Sequence, residues 1–138
     1  MRRSRRIGAV LGGVGLLVGL AWLAHSPGEG LCDTTVLREL PSPSARFKAV
    51  LLSRDCGATT GFNRHVQVLR ATETLGDDSP FVIDDDHGKS TLDVEMRWDS
   101  DARLVVHHDA QARVFRAEHS ARGVAMRYEP LLRADVPR

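Results

Sequence analysis

Residues 92–98 read Leu-Asp-Val-Glu-Met-Arg-Trp. Leu92, Val94, Met96 and Trp98 alternate with Asp93, Glu95 and Arg97. A period of two places the apolar side chains on one face of a strand and the charges on the other, which a helix cannot do. The rest of the chain beyond residue 30 agrees with this. Its apolar runs are short, they end in clusters of Gly, Pro, Asp or Ser, and none keeps the 3.6-residue period of an amphipathic helix. Strands are expected at residues 35–40, 47–52, 64–69, 81–83, 92–98, 103–107, 113–117 and 124–128. Residues 47–52 are apolar on both faces and should be buried. Pro41 and Pro43 fix a turn before them, and Asp109-Ala110 should join residues 103–107 and 113–117 as a hairpin. The pattern predicts a mainly β fold, an antiparallel sandwich or curled meander of seven to eight short strands.

The segment before this domain is of another kind. Residues 7–24 contain no charged residue, and Arg2, Arg3, Arg5 and Arg6 precede them. As a helix, these residues would span roughly 27 Å, close to the hydrocarbon thickness of a bilayer. The arginines before the stretch and the sparse charge after it place the N-terminus in the cytoplasm. The chain then divides into a basic cytoplasmic tail (residues 1–6), a transmembrane anchor (7–25), a linker (26–30) and a periplasmic β-domain (31–138). A cleaved signal peptide is the alternative, which would leave the domain soluble in the periplasm. Its cleavage signal is poor, because Trp22 stands where a small residue is wanted if Ala24 is the last residue removed. Gly8, Gly12, Gly15 and Gly19 have the small-residue spacing found where membrane helices approach closely, and also the glycine content common in such segments.

Charge excludes one function class. From residue 31 onward there are 15 basic and 17 acidic residues, a net of −2 with histidines neutral. A domain without a basic face is not expected to bind nucleic acid.

The only cysteines, Cys32 and Cys56, both follow the membrane segment. In an oxidising compartment such a pair reads as a disulfide. Closing a loop of about 25 residues is worth at most roughly 3.5 kcal/mol. There is no C-x-x-C spacing to suggest redox work. Cys56 opens a corner, Cys-Gly-Ala-Thr-Thr-Gly-Phe, between two strand-like runs. Gly57 and Gly61 should supply backbone geometry that other residues resist, and Thr59 and Thr60 should bond local amides. The corner is expected to be structural first. The runs flanking it, around Val50, Leu51 and Leu52 and around Val66 and Val68, should lie side by side.

Residues that could carry chemistry are few. Asp84, Asp86 and His87 lie in an acidic loop, but the alternation of a calcium loop is missing, so no metal or other cofactor is expected. His107 and His108 are adjacent and would point to opposite faces of a strand. Thr59 and Thr60 lack the sequence context of a nucleophile, so no catalytic residue is assigned.

Ser42-Pro43 before an apolar strand, the run Arg-Asp-Cys-Gly-Ala-Thr-Thr-Gly-Phe from Arg54, and Asp84-Asp85-Asp86-His87-Gly88 together resemble a family of small uncharacterised envelope proteins of Gram-negative bacteria. The Ser-Pro turn is similar to an S-P-D-G turn, with Ser44-Ala45 standing in place of Asp-Gly. The resemblance implies an envelope location and a β-rich fold, and brings no catalytic residue with it. The expectation is a non-catalytic binding or interaction module anchored in the inner membrane, facing an unidentified envelope protein. An enzyme of unrecognised type, or a metal-binding or redox accessory protein, is the alternative.

Overall fold

The computed structural model describes residues 32–57, 62–85 and 90–131. The expected anchor over 7–25 lies outside these residues. Among the described residues no helix is long and apolar enough to cross a membrane, and all regular structure is β. Nine strands form two sheets: β1 (Asp33–Pro41), β2 (Phe47–Asp55), β3 (Asn63–Arg70), β4 (Phe81–Asp84), β5 (Val94–Ser100), β6 (Arg103–Asp109), β7 (Arg113–Ala117), β8 (Ser120–Ala121) and β9 (Val124–Leu131). Sheet A has the order β1-β2-β3-β4-β7 and sheet B the order β5-β6-β9-β8.

Alternation along the strands builds the core. Ala49, Leu51, Val66, Val68, Phe81 and Ile83 of sheet A meet Met96, Leu104, Val106, Val124 and Met126 of sheet B, with Leu92 beside them, in one apolar cluster. Phe81 is fully buried and stacks on Tyr128, with ring centroids 4.8 Å apart. Tyr128 donates its hydroxyl to the Glu118 carbonyl at 2.7 Å. Burial, and then the Glu118 charge, raise its pKa above that of an ordinary phenol. At the rim, Trp98 of β5 donates Nε1–H to the Leu40 carbonyl of β1 at 3.0 Å, tying an edge of one sheet to an edge of the other.

β2 and β3 pair as the sequence implied, with Leu51 opposite Val66 and Ala49 opposite Val68. The turn before β2 closes the β1–β2 hairpin. Ala45 there adopts φ 57, the left-handed backbone that glycine takes most easily. Arg122 and Gly123, both at positive φ, form the two-residue turn between β8 and β9.

Three expectations are corrected. Residues 103–107 and 113–117 do not form a hairpin. β6 is enclosed by β5 and β9, so no edge of it is free, and β7 crosses to sheet A to pair with β4. The fold is not wholly antiparallel, because β6 and β9 run parallel. Among the described residues the strands number nine, the extra one being β8, whose two residues are too few to show a period. A smaller difference concerns Leu92. It lies outside β5 with φ 57, although its side chain is still buried.

Candidate functional site

The face of sheet A turned away from the core carries polar residues in register. One rung runs Leu52, His65, Val82, Arg116 across β2, β3, β4 and β7; the next runs Arg54, Asn63, Asp84, Arg113. Alternation forces these residues outward, because their neighbours Leu51, Val66, Phe81 and Ile83 point into the core. Val50, Leu52 and Leu69 form a second, small apolar cluster on this outer side.

The connection between β3 and β4, residues 71–80, turns back onto that face. Gln67, almost fully buried, holds it there. Its Nε2 donates to the Gly76 carbonyl at 2.6 Å and to Ser79 Oγ at 3.1 Å, and its Oε1 accepts from the Gly76 amide at 3.3 Å. Two ion pairs add to the attachment. Arg54 Nη2 lies 3.7 Å from Asp77, and Arg116 Nη1 lies 3.0 Å from Asp78 and donates to the Ser79 carbonyl at 3.3 Å. Both loop carboxylates are almost wholly solvent-exposed, so each pair holds its partner only weakly.

Between loop and sheet lies a cavity of about 270 Å³ lined by His65, Asp77, Ser79, Val82, Phe115 and Arg116. Phe115 is the extra residue of a bulge in β7, where Val82 faces Arg116 and Ile83 faces Val114. A bulge re-aims a side chain, and here it leaves the Phe115 ring 60% exposed with the Arg113 guanidinium 4.5 Å from its centre. A larger depression of about 440 Å³ lies elsewhere against the same loop, with Gly76, Glu118 and Arg122 among its lining residues. The smaller cavity is the better candidate because of His65.

His65 is only 8% exposed. Its Nε2 lies 3.2 Å from Asn63 Oδ1, so Nε2 carries the proton and Nδ1 the lone pair. Nδ1 is buried and has no hydrogen-bond partner among the described residues, and the same is true of Arg54 Nε. Burial first, then the charges of Arg54 and Arg116, lower the pKa of His65 from 6.5 to about 4. The imidazole is therefore neutral at pH 7. Buried polar atoms without partners are uncommon in folded proteins; here one belongs to His65, which lines the cavity, and the other to Arg54, which pairs with Asp77 of the lining.

The Cys56 corner is built otherwise. Cys32 and Cys56 form a disulfide. Asp33 pairs with Asp55, so the bond occupies the next rung and closes the open end of the β1–β2 hairpin. Gly57 takes φ 96 and donates its amide to Asp55 Oδ1 at 3.0 Å. Thr59, Thr60 and Gly61 lie outside the described residues, as do Asp86 and His87. Asp84 is no open cation ligand. Arg113 holds it with both Nε (3.2 Å) and Nη2 (2.5 Å). No group of three or more His, Cys, Asp or Glu suited to a metal gathers among the described residues.

Sequence reasoning missed Arg54, His65, Phe115 and Arg116 as a group. The alternation that sends His65 outward was legible in residues 64–69. The rung that joins it to Arg116 depends on β7 crossing to sheet A, which no local pattern encodes. Compared with known families, curated proteins and solved structures, the chain matches none.

Proposed function

We propose that this protein is a non-catalytic binding module of the bacterial envelope. Residues 7–25 hold it in the inner membrane, and the β-domain faces the periplasm, where the outer face of sheet A meets a partner. The observation that carries the binding reading is the His65 cavity, a concave site where an exposed aromatic wall at Phe115 meets the polar side chains of His65, Asp77, Ser79 and Arg116. Two features support the location: the uncharged stretch behind four arginines, and the Cys32–Cys56 disulfide, a bond that persists in oxidising compartments.

Two experiments test this. A reporter fused after Arg138 should be active only in the periplasm; activity confined to the cytoplasm would overturn the topology. A photoreactive benzophenone side chain in place of Phe115 should, on irradiating intact cells, give a discrete adduct. The same group at Arg127 of β9, in sheet B, should not. Identical adduct patterns at the two positions, or none at Phe115, would remove the outer face of sheet A as the binding surface.

A further inference from the structure

Resting on this binding reading, we infer that the His65 cavity takes a carboxylate on an apolar body, and that Asp77 and Asp78 occupy the carboxylate's place until the ligand displaces them. The inference starts from the charges along the two outer rungs. Of the three arginines, Arg113 is held by Asp84, a buried carboxylate of the sheet itself. Arg54 and Arg116 have counter-ions of another kind. Those from the loop, Asp77 and Asp78, are almost fully in water, and Arg116 also lies 3.8 Å from Glu118, a half-exposed carboxylate just beyond β7. A solvated carboxylate at 3.7 Å offsets little of a guanidinium's charge, whereas an arginine fork favours a carboxylate that it can hold in a dry site.

Three further observations fit that ligand. Arg54 Nε, a donor, is buried and unpartnered among the described residues, so a guanidinium whose partner Asp77 lines the cavity keeps an unsatisfied N–H. Phe115 and Val82 give the cavity an apolar side. About 270 Å³ is the space of roughly nine water molecules, enough for an acid with a single ring or a branched chain. His65, neutral between the two arginines, adds no competing charge. The same chemistry is offered by a free organic acid and by the last residue of a polypeptide.

The test uses the full chain in detergent micelles. It compares phenylacetate, the peptide acetyl-Ala-Ala-Phe with a free carboxylate, and the same peptide amidated. Binding is followed by calorimetry and by the NMR titration of the His65 imidazole. The free acid should bind at least tenfold more tightly than the amide, and bound acid should move the His65 titration to higher pH, because an anion beside an imidazole favours its protonated form. Asp77→Asn with Asp78→Asn should tighten binding roughly threefold to tenfold by removing the internal competitors. Arg116→Gln should weaken it by at least as much. A peptide acid much tighter than phenylacetate identifies a chain terminus as the ligand, and equal affinities identify a free acid; either supports the inference. Equal binding of acid and amide would overturn it while leaving the cross-linking result at Phe115 standing. So would an affinity unchanged or reduced in the doubly substituted loop, whose exposed positions carry little risk to folding.

Discussion

The inner and outer faces of sheet A are made by the same strands, residue by residue in alternation, and they are held by different forces. Inward, Ala49, Leu51, Val66, Val68, Phe81 and Ile83 close against sheet B with no polar atom to satisfy. Outward, Gln67 and Arg116 meet a loop through directed hydrogen bonds and an ion pair. An apolar face is stabilised by removal of area from water, which tolerates no gaps. A polar face is stabilised by pairing, and a pair can exchange partners. The inner face is therefore suited to fix the fold, and the outer face to change what it holds.

The largest test strikes the inner face. Phe81→Ala removes a buried ring stacked on Tyr128 and should cost about 3–5 kcal/mol. Urea unfolding measures it, and a loss under 1 kcal/mol would mean that the two sheets do not share a tight core. Next in size is the edge strand β1, which both faces need for their outermost row. Cys56→Ser, or a reductant, should cost about 2–4 kcal/mol. The reductant should leave the substituted protein unchanged. Two free thiols in a fully stable protein would refute the staple.

On the outer face, Gln67→Leu should cost about 1–3 kcal/mol, because the Gly76 amide and carbonyl lose a buried partner. Amide exchange at residues 74–79 should speed up more than exchange in β6. Equal acceleration in both would erase the contrast between the faces. The remaining effect is one of pH. The folded pKa of His65, about 4, lies below its ordinary 6.5, so the unfolded chain binds the proton more readily between those values. Stability from this residue is complete above pH 6.5, falls as pH drops toward 4 and levels off below it. His65→Gln should flatten that part of the profile, and an unchanged slope would place the titration elsewhere.

How much of this was legible in the sequence follows from the range of each force. The period of two in residues 92–98 and the doubly apolar run at 47–52 are local, and both became strands. The disulfide was legible because the cysteines offered a single pairing. The partner of β7 was not legible. Residues 113–117 look equally able to fold back on β6, and the choice was made by β9, which arrives later in the chain and takes the free side of β6. The His65 cavity was hidden for the same reason, since its far wall, Phe115 and Arg116, belongs to that strand. Sequence reading looked for chemistry in dense clusters such as Asp84 and its neighbours. Here charges from three strands and a loop come together only through register.

The route of β7 has a further consequence, for how the molecule is made. The chain leaves sheet B after Asp109, adds a strand to sheet A, and returns to sheet B at β8 and β9. On a chain synthesised from its N-terminus, β4 stays an open edge until residue 117 has emerged. Such an edge is a template for any extended strand nearby, including one from a second nascent copy. Crossing a membrane unfolded and pairing only on the far side would shield β4 through that interval. Cutting the domain between β4 and β5 would make the exposure permanent. The N-terminal piece would lack its outermost strand and the C-terminal piece would carry a strand with no sheet, so the two halves should assemble by complementation or not fold at all.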